Sequence, residues 1–472
     1  MYRFRSIDNL LGRYKELEKQ EIYFASPDEL NDPIEGFLDI FWQGDAIVWK
    51  NFFKHYLLCL KQVCLLVVLS NDNEIIDGKD IPIHSPYPKK PTKERTAITD
   101  ELLEKFLKEP IIEDLLQELS NRKTQIRRPE LLQYFKIIHV QAIDSITNIF
   151  SKYELIIIPK QKQRFSSIFR KKFKLQEIFS QMERLKKEYK HVPSINDALF
   201  SATKNVGMQL DLIDSYRRKN DDTPDKLNFI YKDFVESYLE KIEELMYPQW
   251  YTACFMSECT NSSVWGNYGD NHKGVCLIFK AHKTDDELKL NLRTTYGWNE
   301  SGAQVGMRPH AFHKVSYESK HVQIDFFKSL GRLPVHSLEY QWYTNEKGDL
   351  SNCSEPIQYP QDSWHQKYWN NFYLGITSKL KDWDYEKEYR LIVNDMLYGY
   401  SDKKNRVLKY DFNDLEGLIF GIKTSKSDKI KIIEIIKEKC KLNNRKKFNF
   451  HQAFYDNKKG KIEYQKLDML RI

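Results

Sequence analysis

Apolar residues along this chain recur with two different periods, and the period changes repeatedly. Tyr2-Arg3-Phe4-Arg5 alternates as a short strand does, and Leu10, Leu11, Tyr14 and Leu17 then share one helical stripe, with Ser6 and Asp8 as available N-caps. Glu21 to Ala25 reads as a second strand that stops at Ser26-Pro27, and Asn31-Asp32-Pro33 marks the following turn. Residues 46–70 read as helix. Residues 71–97 form a loop punctuated by Pro82, Pro86, Pro88 and Pro91. From 98 to 245 apolar positions recur at threes and fours, which predicts successive helices.

The texture changes again at Trp250. Tyr251–Met256 predicts a strand, 262–268 a short helix, and Gly274–Phe279 (GVCLIF) an apolar strand fit for the middle of a sheet. A mixed, loop-rich segment spans 285–360. A helix with Trp364, Tyr368, Phe372, Ile376 and Leu380 spaced by four follows, then a strand at Glu388–Val393. Strands at Gly417–Ile422 and Lys447–Tyr455 flank a helix at 425–440, capped by Thr424 or Ser425. The strands at the two ends are too few to stand separately, so they are expected to meet in one core. The fold class is therefore α+β, a mixed or antiparallel β core interrupted by a large α-helical insertion. Its expected parts are 1–45 as the first part of the core, 46–249 as the insertion and 250–472 as the remainder.

Composition narrows this picture. The chain has 472 residues, more than one hydrophobic core usually serves, and its 41% apolar and 30% charged fractions are those of a globular protein. A net charge of +7 over this length does not mark a dedicated nucleic-acid binder. The seven cysteines are scattered and odd in number, which predicts free thiols and a cytoplasmic location. The charge-interrupted N-terminus does not read as a secretory leader. The apolar run around Leu57–Leu60 and Cys64–Leu69, broken by Lys61 and Gln62, reads as a buried element and predicts no membrane association.

Three short segments carry candidate chemistry: Tyr2-Arg3-Phe4-Arg5-Ser6; Cys254-Phe255-Met256-Ser257-Glu258 with Ser262 and Trp265-Gly266-Asn267-Tyr268; and Tyr385-Glu386-Lys387-Glu388-Tyr389-Arg390. Glu386 and Glu388 stand at i and i+2, where strand periodicity points both to one face and like charge raises one proton affinity, as an acid/base pair requires. A solvated strand end is the plainer alternative, since Glu-x-Glu is a frequent pattern.

In their order along the chain, these segments resemble the cholera- and pertussis-toxin-like ADP-ribosyltransferases. The resemblance implies an ADP-ribosyltransferase-like core and NAD as substrate. It casts Arg3 as the NAD-phosphate ligand, with Arg5 competing, and Ser257 as the middle serine, with Ser262 as rival. Glu388 becomes the catalytic glutamate and Glu386 its upstream partner, the group that orients or deprotonates a nucleophile that in the resembled class is often an arginine guanidinium. Trp265 or Tyr268 would stack on the nicotinamide; core packing is the alternative for both. The implied enzyme is a bacterial defence or toxin effector acting on a protein or nucleic-acid acceptor, with the insertion serving a partner protein or a homo-oligomer. The segments YFASPDELNDP, WGNYGDNHKGVCLIF and WDYEKEYRLI also resemble an uncharacterised bacterial family, the domain of unknown function 2971, which brings no activity.

Other constellations are weaker. Cys254, Cys259, His272 and Cys276 imitate a zinc-finger spacing, but Gly274 separates the last two and Cys276 sits in an apolar strand, so no metal is expected. Lys160–Lys190 holds eleven Lys/Arg against three Glu, and Arg164, Arg170, Lys171 and Lys172 interleave with phenylalanines as in single-strand binders. An amphipathic helix with its lysines in water is the simpler account. A non-catalytic binding or assembly module, nucleic-acid-binding through this stretch, is the alternative to an enzyme.

Overall fold

The computed structural model describes residues 1–470 except 33, 72–73, 88–90, 156–183, 185–204, 207, 210–211, 214–215, 217–225, 318–320, 359 and 397–398. The basic residues Arg164, Arg170, Lys171 and Lys172 lie outside the described residues. The chain divides into two compact units. The first comprises 1–38, 248–322 and 372–472, and the second 39–247 and 323–371.

Unit one is built on a 12-stranded sheet. Its strands are β1 (Tyr2–Arg5), β2 (Glu21–Tyr23), β5 (Trp250–Met256), β6 (Val275–Phe279), β7 (His282–Thr284), β8 (Glu287–Asn299), β9 (Gly302–Lys314), β11 (Glu388–Asn394), β12 (Val407–Tyr410), β13 (Leu415–Phe420), β14 (Asn449–Asp456) and β15 (Lys461–Lys466). The order is β15-β14-β13-β6-β1-β5-β11-β9-β8-β12-β2, with β7 beside β8. The ends of the chain do meet in one core, since β1 lies between β5 and β6 and β11 lies beside β5. Among the described residues of this sheet, the one parallel strand pair, β13 with β14, is joined by the helix Lys426–Leu442, the kind of crossover that parallel strands need. Ser425 caps that helix by accepting from the Asp428 amide, and Thr424 instead donates to the Gly274 carbonyl at 2.8 Å.

The sheet curls back on itself. Past its edge strand β2 the chain reaches Ala25, which exchanges two backbone hydrogen bonds of 2.8 Å with Thr252 of β5. Strands β5, β11, β9, β8, β12 and β2 thus close around an interior where Phe24, Phe255, Leu290, Phe312, Leu391 and Leu408 pack together. The two 13-residue strands β8 and β9 form a long hairpin where a loop-rich segment was expected. Leu288, Leu290 and Leu292 alternate with polar residues there, a period-two signal diluted by the polar and glycine-rich tip.

Unit two is organised by the 24-residue helix Ala46–Leu69. It is longer than the apolar run alone implies, because Trp49 to Tyr56 extends it, and by length and composition it could cross a membrane. Trp49, Phe52, Phe53 and Tyr56 are fully buried inside the unit. Phe52 meets Phe135 at 4.8 Å and Trp342 at 6.0 Å between ring centroids, and Trp49 meets Phe327 at 5.0 Å edge to face. Lys61 is buried with its ammonium donating to Thr99 Oγ1 at 2.6 Å. These ring contacts, with the pairing of β3 (Asp39–Trp42) between β4 (Ile126–Arg127) and β10 (Gln323–Asp325), are why 323–371 clusters with the helical unit.

Gly274, just before β6, lets the chain pass close to β1: a Cβ there would sit 2.3 Å from the Arg5 carbonyl oxygen and 2.9 Å from that of Gly269. Both obstacles are backbone and cannot swing aside. Gly274→Ala is expected to destabilise the protein by about 1–3 kcal/mol in equilibrium urea unfolding. Gly266→Ala, inside a helix where a Cβ meets nothing within 4 Å, should instead stabilise by about 0.5–1 kcal/mol.

Candidate functional site

The site follows from how little of β1 pairs with β5. Only Tyr2 registers with a β5 residue, Met256, while β5 and β11 pair along their whole lengths from Glu388↔Met256 to Asn394↔Trp250. Beyond Tyr2 the two strands part, because the β5 backbone at Thr252 is taken by Ala25. A cavity of about 200 Å³ lies in the gap, lined by Arg3 and Arg5 of β1, Cys254 of β5, and Tyr268, Glu386 and Glu388 from beyond.

Strand periodicity sends Tyr2 and Phe4 to one face of β1, Arg3 and Arg5 to the other. Arg3 is buried, with its guanidinium 5.3 Å from the centroid of the Phe255 ring. Its Nη2 donates to the Tyr23 carbonyl at 3.4 Å, and its Nη1 is buried without a hydrogen-bond partner. Burial, with Arg5 beside it, brings the Arg3 pKa down to about 10. Arg5 is engaged: its Nε donates to Glu16 Oε2 at 2.6 Å and its Nη2 to Glu16 Oε1. Of the two competing arginines, Arg3 is the one with capacity for an added anion.

The opposite wall is a buried cluster of charge. Glu386 ends a 3₁₀ turn, Lys387 adopts a left-handed conformation (φ 47°), and β11 begins at Glu388. Glu386 is therefore not on the strand, and strand periodicity does not bring the two carboxylates together. They converge on a lysine instead. Lys379 Nζ donates to Glu386 Oε2 at 2.7 Å and to Glu388 Oε2 at 3.2 Å, and lies 3.8 Å from Glu35 Oε2. Arg390 Nε donates to Glu388 Oε1 at 2.9 Å, its Nη1 to the Ile376 carbonyl at 2.6 Å, and its Nη2 also reaches Glu35. Burial opposes the charge on Lys379, but Glu388 and Glu386 more than offset it and raise its pKa. Burial raises that of Glu388 against the pull of Lys379, and lowers that of Arg390 to about 9.

Three further groups complete the site. The Tyr268 hydroxyl donates to Glu386 Oε1 at 2.5 Å, and burial, with Glu386 beside it, raises the phenol's pKa. The Cys254 thiol lies against Glu388, and burial raises it well above a free thiol. Glu29 accepts from the Tyr23 hydroxyl at 2.8 Å, from the Ser26 amide and hydroxyl at 3.0 Å, and from Lys403 at 2.7 Å. Despite partial burial, these donors hold Glu29 down at about 2.

The other sequence-nominated residues lie elsewhere. Ser257 is exposed and its hydroxyl donates to the Lys387 carbonyl at 3.2 Å; Ser262 is exposed in the first turn of the helix Ser262–Asn267. Neither lines the cavity, to which β5 contributes Thr252, Ala253, Cys254 and Met256. Trp265 is buried edge-on against Phe4, centroids 4.9 Å apart, with Nε1 donating to the Cys259 carbonyl at 2.8 Å, so its ring is core and cannot stack on a ligand. Tyr268 lines the cavity, as do Tyr2, Phe4 and Tyr23. Lys379 and Glu35 carried no motif in the sequence, while Tyr23 opens the segment YFASPDELNDP. Among the described residues no group of three or more His, Cys, Asp and Glu side chains is placed to hold a metal ion.

Residues 264–391 match the family described as "Protein of unknown function (DUF2971)". This supports the likeness to that family noted above, over a stretch containing Tyr268, Lys379, Glu386, Glu388 and Arg390. Arg3 and the first of the three resembling segments lie outside it. No curated protein and no solved structure matches the chain.

Removing one partner of a buried ion cluster leaves charge uncompensated, which costs more than the pair contributed. Arg390→Met, leaving Lys379 as the one cation among Glu35, Glu386 and Glu388, is expected to destabilise by about 3–5 kcal/mol in urea unfolding at neutral pH. A loss below 1 kcal/mol would show that the cluster is not a closed one. The depressed Glu29 pKa contributes stability that is present above about 4.5 and is lost as pH falls towards about 2. Urea midpoints measured from pH 5 down to pH 3 should therefore fall more steeply for the wild type than for Glu29→Gln.

Proposed function

We propose that this chain is an ADP-ribosyltransferase-like enzyme, on a core of that type, that cleaves the nicotinamide–ribose bond of NAD and transfers ADP-ribose, in a defence or toxin role. One observation carries the reading: a buried guanidinium with an unpartnered nitrogen, Arg3, and the carboxylates Glu386 and Glu388 line a single cavity although they lie near opposite ends of the chain. Guanidinium nitrogens bind phosphate oxygens through charge-assisted hydrogen bonds, so Arg3 is suited to the pyrophosphate. Cleavage of the glycosidic bond develops positive charge on the ribose, and a carboxylate fixed beside it lowers the barrier. Glu388 is suited to that position, with Arg390 and Lys379 fixing its two oxygens. Tyr268, anchored through its hydroxyl, offers a ring edge to the nicotinamide. A cavity of about 200 Å³ is smaller than the roughly 300–1,000 Å³ of whole-ligand pockets, so it would take the nicotinamide riboside end, the rest of the dinucleotide running past Arg3 to the lip.

A second reading is favoured by a specific feature. Both oxygens of Glu388 are held by cations, at 2.9 Å by Arg390 and at 3.2 Å by Lys379, as they would be in a structural network of a non-catalytic binding module. The two readings separate in one experiment. The full chain is incubated with NAD labelled in the nicotinamide, beside Glu388→Gln and Arg3→Met. The enzyme reading expects nicotinamide release by the wild type, a loss of about 10²–10³-fold in Glu388→Gln, and a raised KM for NAD in Arg3→Met. NAD binding by calorimetry without release would leave the binding module, and neither binding nor release would end the enzyme reading.

A further inference from the structure

The acceptor, on this reading, arrives at Glu386, and what Glu386 can receive depends on what it already holds. Its carboxylate is buried and both oxygens are in use, Oε1 accepting from the Tyr268 hydroxyl at 2.5 Å and Oε2 from the Lys379 ammonium at 2.7 Å. Lys379 is itself almost fully buried, 4% exposed, and its charge is shared among Glu386, Glu388 and Glu35. Arg390 pairs with Glu388 and Glu35, so these three carboxylates face two resident cations. Arg3 adds a further guanidinium on the other wall, and Arg5 beside it is paired with Glu16.

A guanidinium acceptor docks against a carboxylate through paired, charge-assisted hydrogen bonds and needs that carboxylate to be ionised and unneutralised. Glu386 offers no free edge, since both its oxygens already accept hydrogen bonds. The three carboxylates are matched in number by Lys379, Arg390 and Arg3, so a further cation beside Lys379 would find no unmatched carboxylate in the cavity. The position that an arginine acceptor would occupy is already filled by a lysine of the chain itself.

We infer that the nucleophile accepted at this site is an uncharged hydroxyl oxygen, and not an arginine guanidinium. The inference rests on the ADP-ribosyltransferase reading and adds the class of acceptor to it. The C1′–N bond of NAD breaks with its electron pair leaving on the nicotinamide nitrogen, which becomes neutral. The hydroxyl oxygen bonds to C1′, and its proton passes to solvent water. NAD and R–OH thus give nicotinamide, the O-linked ADP-ribose and one proton. Lys379 is a positioning residue here: it holds Glu386 and Glu388 in place and excludes a cationic acceptor. Water and an alcohol, sugar or serine hydroxyl share the same O–H chemistry, and the experiment tells them apart.

The test uses the full chain with NAD labelled in both nicotinamide and adenine, in three arms: buffer alone, buffer with methanol, and buffer with agmatine as a guanidinium probe. The expected result is nicotinamide release in all three, free ADP-ribose in buffer, methyl ADP-ribose with methanol, and no agmatine adduct. Release without a methyl product would narrow the hydroxyl to that of water. Lys379→Met, which frees Glu386 from its ammonium, is expected to gain an agmatine adduct, a change of product that mere loss of stability would not give. An agmatine adduct formed by the wild type in preference to free or methyl ADP-ribose would overturn the inference while leaving the enzyme reading intact. Absence of nicotinamide release in every wild-type arm would instead overturn the enzyme reading, and this inference with it.

Discussion

The ammonium of Lys379 is the interaction on which the site depends. Three carboxylates, Glu35, Glu386 and Glu388, are buried within reach of one another, and such groups cannot all stay ionised in a poorly solvated interior without cations among them. Lys379 touches all three, and Arg390 supplies the second charge. Because an uncompensated buried charge costs more than a pair contributes, the five groups act as one unit. The cluster ties the segment before β11 to β11 itself and to the loop carrying Glu35. It fixes where the carboxylates point, and it limits what else can approach them.

A second constraint is topological. β1 is held by β6 along its whole length but by β5 at one register only, and Ala25 takes the backbone positions of β5 that β1 leaves. A cavity opens in a sheet at such a fork without any strand being lost. Arg3 and Phe4 leave the strand on opposite sides: Phe4 goes into the cluster with Trp265 and Cys276, and Arg3 over Phe255. The guanidinium is delivered to the cavity by strand periodicity, and the carboxylates by the turn at Lys387. The left-handed residue there does what a regular strand would not, turning Glu386 back towards the lysine that also binds Glu388.

The contrast between Trp265 and Tyr268 shows how the helix Ser262–Asn267 serves the site. Asn261 caps it by accepting from the Ser263 and Val264 amides, and Trp265 anchors its inner face in the core. That anchoring sets where Tyr268 emerges, one residue past the helix end, with its hydroxyl on Glu386. A tryptophan with its own backbone partner at Cys259 is a structural post, and the tyrosine three residues later is the group it positions.

Much was legible in the chain alone. Alternation at Tyr2–Arg5, the apolar run Gly274–Phe279, the capping residues Ser6 and Ser425, and the long helical tract that opens at Ala46 each express local rules of period and hydrogen bonding, which need no partner. The resemblance of three segments to ADP-ribosyltransferases nominated Arg3, Glu386, Glu388 and Tyr268. Local rules and resemblance alike misplaced residues whose role depends on what lies opposite. Trp265 has the composition of a stacking ring but sits in the core, and Ser257 lies one residue past β5, on its exposed side. They gave no reason to single out Lys379 or Glu35, and they left 323–371 with the sheet, although Phe326, Phe327 and Trp342 pack against the helix Ala46–Leu69. Periodicity determines which face of its own element a side chain takes. Which element that face meets is set by the long-range register of strands and the packing of rings, and only the tertiary structure decided that one buried lysine would stand between the two glutamates.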